Sequence, residues 1–232
     1  MFHDISFEVR SGEIVGLAGL VGAGRSEIAR AVFGVDSYET GSVRLHGKVV
    51  PPRNPRAAIR AGMAFIPEDR RKQGLVTEAS VTRNVAGVIR SSLAKGGILT
   101  SRAESRAAGP WAGRLEVKTG ALDMGAATMS GGNQQKVVIA KWLATNPSLL
   151  IIDEPTRGID VGTKAEVHRL LSQLAGEGLA ILMISSELPE VLGMADRVLV
   201  VCEGRLTADL DREDATPETV MRAATRSLEA QR

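Results

Sequence analysis

Ser130-Gly131-Gly132-Asn133-Gln134-Gln135 and, downstream, Leu149-Leu150-Ile151-Ile152-Asp153-Glu154-Pro155 decide how the rest of this 232-residue chain is read. The first stretch is a Gly-Gly turn that opens a helix predicted from about Asn133 to Ala144. Its free backbone N–H groups and the positive helix end can face an anion. A nucleotide γ-phosphate fits that description. The second stretch is four apolar residues ending in two carboxylates, the pattern of a buried parallel strand that presents its acids at the C-terminal edge of a sheet. Carboxylates there can hold Mg²⁺ and polarise water.

Upstream, residues 12–18 read as a strand and run directly into Gly19-Leu20-Val21-Gly22-Ala23-Gly24-Arg25-Ser26, followed by a helical stretch from Glu27 to Phe33. The spacing is nearly that of a phosphate-binding P-loop. Gly19, Gly22 and Gly24 let the backbone wrap phosphate oxygens without Cβ clashes, and Ser26 can place its hydroxyl on Mg²⁺. The usual lysine, however, is Arg25. A planar guanidinium on a different stem keeps the charge and loses geometry tuned to a compact ammonium, so the expectation is nucleotide binding with poor hydrolysis. Glu27 has two readings. It repels the phosphates, by roughly 4 kcal/mol for unit charges about 4 Å apart at an effective dielectric near 20, or it faces solvent and favours the helix N-terminus.

Composition narrows the partners. A formal net charge of +2 gives no electrostatic case for nucleic acid, and an aromatic content of 3% supplies no base-stacking platform. The single Cys202 lies in the apolar run Val198 to Cys202, where a lone thiol behaves as a small hydrophobe, as expected in a reducing compartment. No apolar stretch approaches the ~20 residues that span a bilayer, so membrane association is expected through a partner. His3, His46 and His168 are scattered, with solvated or packed roles as the default.

The βα alternation predicts a mainly parallel sheet flanked by helices: strands near Glu13–Leu17, Leu149–Asp153 and Ala180–Ile184, and helices near Arg25–Phe33 and Thr163–Ala175. Ile5 to Val9 and Gly41 to Val50 alternate apolar with polar residues, and Gly204-Arg205 marks a late hairpin turn. Together these predict a small antiparallel subdomain. Between Gly74 and Met129 the chain becomes rich in Ala, Ser and Arg, with helical runs Val81–Leu93 and Ser101–Val117; an inserted helical subdomain at about 75–130 is expected. The chain of 1–232 is long enough for one sizeable core with such a lobe. Ser186 is expected to cap a helix over Glu187–Met194.

On these residues the chain resembles the ATP-binding cassette (ABC) domain, specifically the C-terminal of two tandem cassettes in bacterial monosaccharide importer ATPases of the ribose, galactose and xylose type. The likeness rests on Gly19–Glu27, Ile66-Pro67-Glu68-Asp69-Arg70-Arg71 with Gly74-Leu75, Ser130–Lys136, Asp153–Gly162, and Ile184–Met194 leading into Asp196-Arg197. It spans almost the whole chain. The resemblance implies ATP and Mg²⁺ as ligands, Ser26 and Asp153 as metal contacts, Glu154 as the general base, and Gly19, Gly22, Ala23, Gly24, Arg25, Ser26 and Glu27 as the nucleotide-binding loop. Glu68 stands where the family usually has a glutamine, Ser186 where it has a switch histidine, and Met129 where leucine leads the signature. In cassette dimers ATP lies between the Gly-rich loop of one domain and the signature loop of the other. The resemblance therefore implies that Ser130, Gly131, Gly132 and Gln134 complete a site in a head-to-tail partner, while the chain's own pocket turns over slowly. Asp160 resembles the family's inter-domain aspartate and also suits the N-cap of a helix from Val161 to Ala175.

By the same resemblance, the helical lobe and the groove at Glu68 receive the coupling helix of an integral membrane permease at the cytoplasmic face of the membrane. A sugar-binding protein then acts indirectly. The family normally has a further strand and an adenine-stacking aromatic residue before the stretch matching Ser6–Val9, so the chain is expected to be either a fragment of a longer tandem-cassette protein or truncated at its start, and the adenine contact is assigned to no residue. Two other functions stay open at this point: a largely non-catalytic regulatory nucleotide-binding module, and a soluble cassette ATPase unconnected with transport.

Overall fold

In the computed structural model, which describes residues 2–117 and 122–225, the main sheet has the order β4 (Met63–Ile66), β5 (Leu149–Asp153), β6 (Ala180–Ile184), β1 (Ile14–Gly19), β7 (Arg197–Cys202), β8 (Arg205–Asp211). The expected single domain over 1–232 and its lobe at about 75–130 include residue 1 and residues 118–121 and 226–232, which lie outside the described residues. Neighbours from β4 to β7 pair in parallel, and only β8 returns antiparallel. β5 and β6 are buried at every residue, as unbroken apolar runs in a doubly covered parallel sheet require. Because Leu17 and Asp153 both stand opposite Ile184, the ends of β1, β5 and β6 emerge side by side at one edge. That register brings together three loops far apart in sequence.

Helices cover both faces. Val15 and Leu17 of β1 join a core with α1 (Arg25–Phe33), α6 (Gly131–Leu143) and α7 (Val161–Gly176), while Ala18 faces a second cluster with α8 (Leu188–Met194) and α9 (Pro217–Ala224). Phe33 stacks on Phe65 with centroids 5.3 Å apart and meets Trp142 edge-on at 5.6 Å, tying α1, β4 and α6 into one aromatic contact. Between Val50 and β4 the short α2 (Pro55–Ala61) is capped by Asn54, whose side chain accepts the Ala57 N–H.

The expected small antiparallel sheet is present, with fewer strands than the three alternating stretches suggested. β2 (Val43–Leu45) and β3 (Lys48–Val50) form a two-stranded sheet, and β8 extends the main sheet instead of joining them. Both hairpins turn on two residues with positive φ, His46-Gly47 (49° and 75°) and Glu203-Gly204 (49° and 75°), the geometry that matches strand twist. Ile5–Val9 is not a strand. Ile5, Phe7 and Val9 are half-buried and Ser6 and Glu8 exposed, as the alternation requires, but among the described residues no strand supplies a ladder alongside.

The helical insertion is present as α3 (Val81–Ala86), α4 (Arg90–Leu93) and α5 (Ser101–Arg114); α3 and α5 pack on each other and on α6, and α4 packs on α5. The expected single helix Val81–Leu93 breaks at Gly87, whose N–H folds back to the Asn84 carbonyl. Glycine interrupts helix propensity there. The Asn84 side chain meanwhile fastens α3 to the preceding loop through Val76, Ala79 and Ser80.

Candidate nucleotide site

Gly19 ends β1 at φ 151°, so close to β7 that a Cβ would lie 2.3 Å from the Val201 carbonyl oxygen; no side chain fits. The chain then turns through Gly22 (φ 82°) into Gly24 (φ 103°), which caps α1 in the left-handed region. Ala23 is buried beneath the loop and its N–H bonds the Leu20 carbonyl. Among the described residues no acceptor engages the N–H groups of Gly22, Gly24, Arg25, Ser26 or Glu27. The arrangement is an anion cradle at a helix N-terminus. Glu27 is exposed with Arg30 at 3.7 Å, which suits the solvent-facing reading.

Asp153 and Glu154 stand at the adjacent strand end. Asp153 is 4% exposed, and among the described residues its Oδ1 has no hydrogen-bond partner. Burial raises its pKa, while the Ser26 hydroxyl and Arg25 pull it down. A buried, unsatisfied carboxylate oxygen beside a serine hydroxyl fits a hard divalent cation. Among the described residues no group of three or more His, Cys, Asp or Glu forms a metal cluster. Glu154 occupies φ 52°, a strained conformation for a non-glycine residue, fixed by its N–H on the Ile184 carbonyl at 2.8 Å. Ser186 Oγ donates to Glu154 Oε2 at 3.0 Å. Burial pushes the Glu154 carboxyl up against the downward pull of Ser186 and Arg25.

Arg25 is 8% exposed and its Nη1 donates to the Ser185 carbonyl at 2.5 Å, so the guanidinium spans from the Gly-rich loop to the end of β6. Burial lowers its pKa, and Glu154 and Asp153 oppose that. Beside it a cavity of about 150 Å³ is bounded by Gly19–Val21, Ser185-Ser186, and Val220 and Met221 of α9. Ser186 is not the cap of α8. Glu187 holds that position, and its N–H bonds Ser185 Oγ at 3.0 Å. The local reason is Glu190, a buried carboxylate that accepts from Thr156 at 2.7 Å and contacts Ser185 and His168 at 2.5 and 2.6 Å; it draws Ser185 inward and leaves Ser186 to Glu154.

The signature turn lies elsewhere. Ser130 caps α6, its Oγ accepting the Asn133 backbone N–H at 3.4 Å and also Asn133 Nδ2 at 3.1 Å. A Cβ on Gly132 would sit 2.3 Å from Thr163 Cγ2, so the turn packs on the start of α7. Asp160 caps that helix, accepting the Thr163 N–H at 3.0 Å and its hydroxyl at 2.7 Å, bonds that lower its pKa. Gln134 is 1% exposed and places its amide under the turn, Nε2 on the Ala126 carbonyl and Oε1 accepting from Arg71. Its place is therefore support of the turn rather than its exposed face. Glu68 follows β4, exposed, and forms an ion pair with Arg157.

Thus the structure brings Gly19–Glu27, Asp153, Glu154 and Ser186 to one edge, while Ser130–Gly132, Asp160 and Glu68 gather on the α6–α7 side. Arg70, Arg157 and Glu190 all lie in the stretches that carry the resemblance, yet their individual parts are not legible there; the Arg70 contacts, for example, cross 87 and 88 residues and leave no local signature.

The family model described as ABC transporter matches residues 2–157. Ribose import ATP-binding protein RbsA 1 of Streptomyces coelicolor is 62% identical over 225 residues, 97% of this chain and 45% of that protein. The ribose import ATP-binding protein of Rhodococcus jostii is 58% identical over 227 residues, 98% of this chain and 45% of that one. The chain spans about half the length of these relatives. A nucleotide-free ATP-binding cassette from an ABC transporter superposes with TM-score 0.81 at 20% identity, covering 97% of this chain and 93% of that chain. A dimeric cassette in a post-hydrolysis state with ADP and Pi gives 0.77 at 18%, covering 91% and 90%.

Proposed function

Since this chain belongs to the ABC transporter family, we propose that it is one ATP-binding half of a bacterial monosaccharide importer of the ribose type, lending its signature turn to a partner cassette and turning over slowly itself. The ribose-import names of its relatives support the substrate class. In this reading a head-to-tail second cassette completes the sites, and an integral membrane permease holds the chain at the cytoplasmic face. A sugar-binding protein participates indirectly, and nucleic acid has no part. Among the described residues no helix is long and apolar enough to cross a membrane.

The observation that carries the asymmetry is the Arg25 tether to the Ser185 carbonyl. The cationic group of the loop is already committed to the protein, whereas Ser130 is exposed at the start of α6. The free N–H groups of the loop would bind phosphate oxygens, and Ser26 and Asp153 would hold Mg²⁺. When bound, the ion supplies charge neutralisation and in-line orientation for phosphoryl transfer. Glu154 would accept the proton of the attacking water, a task favoured by its raised pKa and limited by the hydroxyl of Ser186 that occupies one of its oxygens.

The test is Mg-ATP hydrolysis by the chain alone and mixed with a partner cassette carrying a lysine P-loop, with Ser130→Arg in parallel. The expected result is turnover chiefly in the mixture and its loss, by about 100-fold or more, with Ser130→Arg. Equal turnover by the lone chain, indifferent to the partner, would overturn the asymmetry.

A further inference from the structure

Asp69 accepts the N–H groups of Arg71 and Lys72, both at 3.1 Å, and so starts the single π-helical turn Arg70–Gly74 at a fixed angle to β4. The turn sends Arg70 across to the loop after β5. There its fork donates from Nη1 to the Arg157 carbonyl at 2.5 Å and from Nη2 to the Gly158 carbonyl at 3.1 Å. The same Nη2 occupies the space above Gly131: a Cβ there would lie 2.6 Å from it and 3.0 Å from the Gly158 oxygen. Three segments therefore meet at one guanidinium. Arg71, next on the turn, donates to Gln134 beneath the signature at 3.3 Å, and Glu68, just before it, pairs with Arg157. Among the described residues the buried Arg70 Nε has no hydrogen-bond partner. Leaving a buried donor unsatisfied is costly, so the side chain is held by its two carbonyls and its packing, not by a complete hydrogen-bond set. None of its partners belongs to residues 19–27.

We propose that Arg70 is a positioning residue for the signature turn, clamping Gly131 against the Arg157-Gly158 carbonyls so that Ser130 and the first N–H groups of α6 are presented at a fixed angle. This rests on the reading that the turn is lent to a partner cassette. Only a planar fork can bridge two successive carbonyls while lying flat on a glycine; a lysine ammonium supplies charge without the bridge. The residue shapes the surface that is lent and leaves the chain's own loop untouched.

The experiment compares wild type, Arg70→Lys and Arg70→Gln in the mixture with the lysine-loop partner, recording kcat and KM for ATP. ATP affinity of the lone chain and backbone hydrogen exchange over residues 130–134 and 157–160 are followed alongside. The clamp predicts a kcat lower by about 10- to 100-fold in both variants, as expected for an Ångström-scale misplacement of a binding group. ATP affinity of the lone chain should stay within about 2-fold, and exchange should be faster in both segments. Full activity in Arg70→Lys would show that charge suffices and would overturn the bridging role. Parallel loss of the lone chain's ATP affinity, or unchanged exchange, would overturn the clamp. If the wild-type mixture is itself indifferent to Ser130→Arg, lending of the turn is what has failed; the functional half of the proposal falls with it, and the exchange data still decide whether Arg70 holds the two segments.

Discussion

Asp153 ends a fully buried strand with one carboxylate oxygen that no group among the described residues satisfies. Its pKa lies above the ordinary 3.8 because burial outweighs Ser26 and Arg25. The native state thus holds this proton more tightly than the unfolded chain. Stability contributed by Asp153 therefore falls as the pH climbs from the unfolded value through the raised native one, and is level above it. Asp153→Asn removes the buried charge and should stabilise the nucleotide-free protein at neutral pH by about 1 kcal/mol, or about 2–4 °C in midpoint for a chain of this size. The gain should shrink as the pH is lowered through that window, and the Mg²⁺-dependent part of any ATP-induced stabilisation should vanish. A lower midpoint for the variant at neutral pH would mean that the carboxylate is satisfied in solution. At this scale the sequence was informative about identity and silent about direction. Arg25 in place of lysine was legible; that it reaches back to the Ser185 carbonyl was not, since that contact crosses 160 residues.

Between elements, the close approach of α6 and α7 depends on a missing side chain. A Cβ at Gly132 would meet Thr163 at 2.3 Å from Cγ2, 2.9 Å from Oγ1 and 3.0 Å from Cβ. Because the Thr163 hydroxyl is bonded to Asp160, the threonine cannot rotate away freely. Gly132→Ala should destabilise by about 1–3 kcal/mol. Thr163→Ala in the same chain should recover part of that, with a coupling of about 1 kcal/mol in a double-mutant cycle followed by denaturant unfolding. Additive effects would show that the two helices separate without resistance. The start of α7 was legible, opening at Asp160 as the N-cap reading required, whereas α6 begins two residues before the expected Asn133 because Ser130 caps it. Local signals misled where a tertiary partner competed. Glu190 takes the hydroxyl of Ser185, so Ser186 turns to Glu154 instead of capping α8.

For the whole molecule, the parallel sheet was readable from the βα alternation and the burial of its strands. The order β4-β5-β6-β1-β7-β8 was not, because strand neighbours are chosen by packing between distant segments. The same limit explains Ile5–Val9, whose alternation fixes which residues face inward and says nothing of whether a neighbouring strand is there to pair with. Sheet order also separates the two functional surfaces: residues 19–27 run from the end of β1 into α1, whereas Ser130 caps α6 and Gly132 packs on Thr163 of α7. Large apolar side chains stand out at each surface, Val21 at 90% exposed within the Gly-rich loop and Val161 at 83% at the start of α7. Exposed positions of this kind contribute little to the fold, so Val21→Glu and Val161→Glu should each shift the stability of the lone chain by no more than about 0.5 kcal/mol. If a second cassette covers both surfaces, each glutamate would be buried on association, and affinity for the lysine-loop partner in Mg-ATP should fall by about 10-fold or more. Sedimentation of the mixture reads the affinity and thermal unfolding of the lone chain reads the fold. Weakened association at unchanged stability would support a partner seated across both surfaces. Unchanged association would place the partner elsewhere and leave the signature turn with no nucleotide to meet.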